Sequence, residues 1–237
     1  MQPIQQDLDE RFANPRPLAV ANTFVARVYN WMGIGLGVTA GVAMLVSQSE
    51  TMVRTVIRNP LILIGLIVVQ LGMVFGISSA ARRANPALAT VLFLSYAALL
   101  GVTMSFILLV YTASSVAGTF LVTAGMFGGM SVYGWTTKRD LTSIGSFAIM
   151  AVFGLILASI VNIFLQSSAM GWLISLVGVA VFVGLTAYDT QKIKQIGASV
   201  DGDSAHGRGL AIQGALALYL DFVNMFMFML RLLGSRR

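Results

Sequence analysis

The sequence contains no cysteine and carries little charge. Its 237 residues include one His, and only 10% of them are charged. Without Cys there are no disulfides and no thiolate metal sites, and one His excludes a zinc site built on two or more histidines. Soluble domains carry about 25% charged residues. A soluble protein of this composition would lack the polar side chains needed to cover its surface.

Motifs of the common enzyme classes are also missing. The sequence has no His-Glu-x-x-His, no Gly-x-x-x-x-Gly-Lys and no Gly-x-Ser-x-Gly segment, which excludes the best-known zinc peptidase, nucleotide-binding and serine hydrolase signatures. His206 lies in a polar, Gly-rich loop without a partner for a metal site. We therefore predict no catalytic residues and no cofactor.

What the sequence has instead is long apolar blocks, which make up most of its 57% hydrophobic content. Each block is apolar all round for roughly 20 residues, the length of a helix that crosses about 30 Å of hydrocarbon. Barrel strands alternate over about ten residues. We predict an all-α integral membrane protein: a polar segment, 1–23, and one transmembrane domain, 24–237. Its seven helices are expected at 24–46, 60–81, 87–110, 116–135, 144–164, 171–189 and 210–233.

The basic residues predict the orientation of these spans. The net charge of +6 comes from Lys and Arg in short loops beside apolar blocks, where they set topology, and nucleic-acid binding is not expected. A cytoplasmic N-terminus puts ten Lys and Arg residues inside and five outside. The outer five are Arg54, Arg58, Arg231, Arg236 and Arg237. The last three are unusual there, and a re-entrant seventh segment is the alternative that would move them.

Glycines recur four residues apart on three of the predicted spans. The sets are Gly33, Gly37 and Gly41, then Gly72 and Gly76, then Gly125 and Gly129. Small residues at this spacing let helix backbones approach each other. We expect them to pack the bundle, with a dimer interface as the alternative.

One acidic side chain lies near the middle of the seventh span. An ionised side chain in hydrocarbon costs at least about 2.5–3.5 kcal/mol on insertion scales, so Asp221 should be shielded, paired or functional. Asn224 and Gln213 fall on the same helical face. This polar stripe should face the interior of the bundle. A carboxylate that only hydrogen-bonds neighbouring helices is the structural alternative.

Asp189 ends the sixth span, where it is either solvated or paired with Lys192. The sixth and seventh spans are adjacent and antiparallel, so Asp189 reaches the depth of Asp221 if its helix continues past it. Two carboxylates that close would share a proton and titrate as a unit, which is a physical basis for a pH switch and for a weak cation site. Arg82 and Arg83 end the second span on the same side. They are either membrane anchors or, for one of them, a partner of a carboxylate.

Several segments resemble the Bax inhibitor family, the transmembrane Bax-inhibitor-motif proteins with bacterial members of the YccA type. The strongest likeness is in the last span, with the letters ALYLDFVNMF at 217–226 and LRLLG at 230–234. Supporting likenesses are YDTQKI at 188–193, KRDLT at 138–142 and NIF at 162–164. The resemblance runs from the first span to the C-terminal segment and implies a bundle with the last helix at its centre, surrounded by the other six.

The resemblance also implies a function, a pH-sensitive calcium leak channel in a bacterial inner membrane. It assigns the pH-sensing, ion-binding pair to Asp189 and Asp221, and the arginine that stabilises the closed form to Arg83, or to Arg82 if the register slips. Calcium is then a permeating or weakly bound ion. A regulatory protein that binds a membrane protease or another partner through residues 1–17 is the alternative. An intramembrane aspartyl protease is a remote one, since its Gly-x-Gly-Asp context is missing.

Overall fold

The chain folds into a helical bundle in a computed structural model that describes residues 18–49, 51 and 59–237. Much of the predicted polar segment, together with Arg54 and Arg58, lies outside these residues. The helices of the described residues are α1 Leu18–Ser47, α2 Pro60–Arg82, α3 Pro86–Met104, α4 Ile107–Val110, α5 Ala113–Thr136, α6 Thr142–Leu165, α7 Ser168–Ser199 and α8 Ala205–Leu233. The short α4 completes the span begun by α3, so these helices form seven membrane spans. The prediction of an all-α membrane protein is confirmed.

Two Asn-Pro pairs begin neighbouring spans. The side chain of Asn59 accepts a hydrogen bond from Leu61 N, and that of Asn85 accepts one from Leu88 N, both at 3.1 Å. In each case the following proline occupies the first helical turn, where a missing N–H costs nothing. The sequence therefore marks the beginning of α2 and α3 directly.

The last helix lies at the centre of the bundle, as the resemblance implied. α8 packs against α1, α2, α3, α5 and α7, and Leu218, Tyr219 and Met225 on it are fully buried. α6 is the exception to the expected ring of six, because it packs mainly against α7. Its exposed apolar side chains, such as Phe147 and Phe153, are suited to lipid.

Only one of the regularly spaced glycines packs against a neighbouring helix: a Cβ at Gly76 would lie 3.1 Å from the Leu92 side chain of α3. For the other six the prediction is wrong. No atom of a neighbouring helix lies within 4 Å of where a Cβ would stand at Gly33, Gly37, Gly41, Gly72, Gly125 or Gly129. The closest approaches occur at other glycines. A Cβ at Gly134 would overlap the backbone of Ala187, and one at Gly145 would overlap the ring of Tyr188.

The last two helices are longer than their apolar blocks. α7 continues ten residues beyond the predicted end at 189, because Ile193 and Gly197 on its last turns are buried within the protein. α8 is one continuous helix of 29 residues, about 43 Å long. A helix of this length crosses the membrane, which leaves no support for a re-entrant seventh segment.

Candidate functional site

The two carboxyl groups singled out in the sequence lie next to each other in the bundle. Asp221, in the middle of α8, is 4% exposed. Asp189 on α7 is half-buried, and its carboxyl group is close enough to that of Asp221 for a hydrogen bond. A hydrogen bond between two carboxyl groups requires that one of them carries a proton. The geometry thus favours a pair that holds one proton between two acids.

No amide or hydroxyl group among the described residues donates to one buried oxygen of this pair. This oxygen is the Oδ2 atom of Asp221. An unsatisfied buried acceptor costs about 1–3 kcal/mol, and such groups require an explanation in a native fold. Here the neighbouring carboxyl group of Asp189, within hydrogen-bond reach, can satisfy the oxygen by sharing a proton.

The other residues of the predicted polar stripe do not contact Asp221 through hydrogen bonds. The side chain of Asn224 donates to the carbonyl oxygen of Leu220 at 2.8 Å, within its own helix. Gln213 is half-buried two turns before Asp221. The stripe thus has one functional candidate, the carboxyl group itself.

Arg82 and Arg83 are not brought to the carboxyl pair. Both side chains are exposed at the end of α2. In the described part of the chain neither forms an ion pair, since the ion pair found there joins Arg27 to Asp203 at 2.7 Å. The positive charge that acts on Asp189 is instead that of Lys192, one turn on in the same helix.

Two hydroxyl residues lie on helices that pack around the pair, Thr190 on α7 and Ser131 on α5. Thr190, next to Asp189, has its hydroxyl 3.1 Å from that of Tyr29 on α1. On α5, the buried Ser131 lies one turn beyond Phe127, whose ring contacts Phe222 beside Asp221. The Ser131 hydroxyl also lacks a partner among the described residues. Threonine and serine are common in apolar helices, so the sequence offered no signal for either residue.

The cytoplasmic end of α7 holds the turn between α5 and α6. The Gln191 amide accepts a hydrogen bond from Leu141 N at 2.9 Å and donates one to the Arg139 carbonyl at 2.8 Å. Lys194 donates to the Trp135 carbonyl at 2.7 Å and lies over its ring. The sequence analysis missed both contacts, because Gln and Lys at a cytoplasmic helix end are ordinarily solvated.

Two exposed carboxylates of the cytoplasmic loops have lowered pKa values. Hydrogen bonds from the side chain and backbone of Thr142 lower the pKa of Asp140. The hydrogen bond and charge of Arg27 lower the pKa of Asp203. Arg27 also donates to the Gly202 carbonyl. Both carboxylates therefore act as fixed negative charges at neutral pH.

Comparison with known proteins identifies relatives along almost the whole chain. Residues 21–237 match the family model described as "Inhibitor of apoptosis-promoting Bax1". The inner membrane protein YbhL of Escherichia coli K12 is 48% identical over 94% of this chain and 95% of its own length. Uncharacterized proteins of Deinococcus radiodurans and Borreliella burgdorferi are 46% and 44% identical, each over 93% of this chain, with 94% and 95% of their own lengths matched. The chain is an integral membrane protein that belongs to the Bax inhibitor family.

Proposed function

We propose that this protein is a pH-dependent leak path for cations in a bacterial inner membrane, with calcium as the expected ion and Asp189 and Asp221 as its gate. The observation that carries the proposal is the contact between the carboxyl group of the buried Asp221 and that of Asp189, with no amide or hydroxyl donor to the Asp221 Oδ2 atom among the described residues. A purely structural acid would be expected to satisfy both of its oxygens. The proposal assigns no catalytic step to the pair.

The gate follows from the charge of the pair. With one shared proton, the two carboxyl groups attract each other and hold α7 against α8. Without it, two negative charges face each other at low dielectric, where like charges repel strongly. The helices then separate, and a cation that enters between them restores neutrality. The leak therefore increases as the pH rises.

Among the residues that the structure describes, few other charges face the pair, so its protonation dominates the response to pH. α7 contributes Lys192, and α1 contributes the neutral Tyr29 through Thr190. α5 presents the uncharged Phe127 and Ser131. The arginines that end α2 are exposed. Protonation of the pair is thus the largest change in charge available inside this bundle.

The pair suits permeation better than storage. Calcium takes six to eight oxygen ligands, and two carboxylates supply four at most. The described residues hold no group of three or more His, Asp or Glu side chains that would bind a metal ion. A calcium ion here would complete its shell with water and backbone carbonyls. Weak binding of that kind lets an ion leave as readily as it enters.

Calcium flux into proteoliposomes at mildly acidic and mildly alkaline pH tests the proposal. The wild type should leak more at the higher pH. Asp221→Asn keeps the shape of the side chain but removes its charge, and should abolish the pH dependence. Asp201→Asn, a change in an exposed loop, is the matched control and should behave as the wild type. Unchanged flux and pH dependence in Asp221→Asn would refute the gate.

A further inference from the structure

A large apolar cavity lies in the outer half of the bundle. It has a volume of about 540 Å³ and lies between α1, α3, α4, α5 and α8. Leu36 and Ala40 line one wall, Ala117 lines the opposite wall, and Phe226 lies between them. Its surface is almost entirely hydrocarbon.

The cavity opens toward the bilayer between α1 and α5. Met44 of α1 and Leu121 of α5, both on its lining, are 58% and 70% exposed. The two helices touch further inward, where the rings of Tyr29 and Phe127 meet. An apolar space of this depth that opens to hydrocarbon loses dispersion contacts if nothing fills it. The molecule available to fill it in a membrane is a lipid acyl chain.

A basic segment lies at the outer end of the bundle, beside the link that joins two walls of the cavity. Residues 235–237 run alongside the link between α4 and α5: Thr112 N donates to the Ser235 carbonyl at 3.1 Å, and Arg237 N donates to the Val110 carbonyl at 2.9 Å. This link directly joins the cavity-lining residues Leu108 and Ala113. The backbone pairing therefore holds Arg236 and Arg237 at the outer end of the cavity, with exposed side chains.

These two arginines place positive charge on the outer side of the membrane, where it is uncommon. Positive residues concentrate on the cytoplasmic side, yet Arg236 and Arg237 lie at the outer end of α8. Every acidic residue that the structure describes lies elsewhere, in the cytoplasmic loops or in the central pair. Neither arginine forms an ion pair within the described chain. Two such cations at the membrane surface attract an anionic lipid head group.

We propose that this is a site for one anionic phospholipid of the outer leaflet, whose acyl chain lies in the cavity and whose phosphate binds Arg236 and Arg237. The acyl chain gains little from leaving the bilayer, because lipid tails are as apolar as the lining. Selectivity therefore comes from the head group. The site does not depend on the ion leak, and it can exist whether or not the carboxyl pair conducts.

Native mass spectrometry of the purified full chain tests the site, with phosphatidylglycerol and phosphatidylcholine carrying identical acyl chains as probes. Arg236→Gln/Arg237→Gln removes both charges without shortening the chain. Arg231→Gln is the matched control, because Arg231 lies at the same end of α8 but over the ring of Phe228, which packs against α7 at Phe182.

Ala40→Phe/Ala117→Phe fills the cavity from two exposed positions. Val122→Phe, at a site that faces lipid away from the cavity, is the control for added bulk.

The wild type should retain phosphatidylglycerol over phosphatidylcholine by about five- to thirtyfold, the preference that one or two surface cations provide. The double arginine variant should lose that preference and still retain phosphatidylcholine. The cavity-filling variant should lose both lipids, and the two controls should behave as the wild type. Equal retention of the two lipids by the wild type, an Arg231→Gln effect as large as the double variant's, or unchanged lipid binding with a filled cavity would each overturn the proposal. Circular dichroism and size-exclusion elution verify that each variant is folded before it is compared.

Discussion

Gly134 of α5 lies directly against the backbone of Ala187 on α7. A Cβ at position 134 would lie 3.0 Å from the Ala187 Cα and would overlap its carbonyl oxygen. This contact is two residues from Asp189 and sets how closely α5 approaches the carboxyl pair. The packing of one glycine therefore supports the geometry of the candidate site.

Gly134→Ala should destabilise the protein by about 1–3 kcal/mol, because the added methyl group meets backbone that cannot move aside without shifting a helix. Gly125→Ala is the matched control on the same helix, where nothing lies within 4 Å of the new Cβ. That change should be neutral or stabilising by up to about 1 kcal/mol, since Ala favours helix over Gly. Unfolding in detergent micelles measures both. Equal losses for the two variants would contradict the close approach.

A second prediction concerns the hydroxyl contact between α1 and the central helix. The Thr39 hydroxyl lies 2.9 Å from the Ala97 carbonyl, 3.0 Å from the Gly35 carbonyl and 2.6 Å from the Tyr219 phenol. Since its one proton goes to a carbonyl, Tyr219 donates to Thr39. Tyr219→Phe then removes one hydrogen bond and should cost about 0.5–1.5 kcal/mol. Thr39→Val leaves a buried phenol without an acceptor and should cost more, about 1–3 kcal/mol.

The double variant distinguishes this hydrogen bond from packing. With both partners apolar, no donor is left unsatisfied, so Thr39→Val/Tyr219→Phe should cost less than the sum of the two single changes. Thermal unfolding of the four proteins in one detergent measures the coupling. Strict additivity would show that the two hydroxyl groups do not interact.

A third prediction tests the support that α7 gives to the turn between α5 and α6. Gln191→Glu keeps an acceptor for Leu141 N but replaces the donor to the Arg139 carbonyl with an oxygen. The turn should loosen, and amide exchange of residues 139–145 should accelerate several-fold. Gln195→Glu, one turn on and exposed, introduces the same charge without this contact. Faster exchange in both variants would indicate that charge alone is responsible.

The sequence predicted the features that depend on lipid. Long apolar blocks are a property of each segment, so the seven spans and the all-α class follow from hydropathy. The free-energy cost of an ionised side chain in the middle of a membrane is enough to single out Asp221. The contact between the Asp221 and Asp189 carboxyl groups needed the continuation of α7 past its apolar block. Buried Ile193 and Gly197 drive that continuation through contacts that hydropathy does not record.

The packing of the helices was predicted less well, for a physical reason. Spacing identifies which glycines share a face, but not whether the face meets protein or lipid. Both environments are apolar in a membrane, so Gly33 and Gly134 look alike in sequence and differ in the fold. The same ambiguity hid the cavity, which two diverging helices create from ordinary Ala and Leu side chains. The role of the arginines at the end of α2 was equally ambiguous. An arginine that anchors a helix at the membrane surface and one that pairs with a buried carboxylate look the same in sequence.

The last prediction concerns the loop between α7 and α8. Asp203 pairs with Arg27 at 2.7 Å and ties this loop to α1. Because Arg27 lowers the pKa of Asp203 below its usual value of 3.8, the contact contributes stability above that pH and loses it as the pH falls through the lowered pKa.

Asp203→Asn should accelerate amide exchange of residues 201–207 at neutral pH, after correction for the intrinsic effect of pH on exchange. As the pH falls below 3.8, the wild type should converge on the variant. Arg27→Gln should accelerate exchange at least as much as Asp203→Asn at neutral pH, because it also removes the donor to the Gly202 carbonyl, and the double variant should add nothing to Arg27→Gln. High salt should reduce the difference, because the pair is exposed to solvent. An Asp203→Asn protein with the pH profile of the wild type would show that the loop is held by other contacts, such as Phe24 against Gly202.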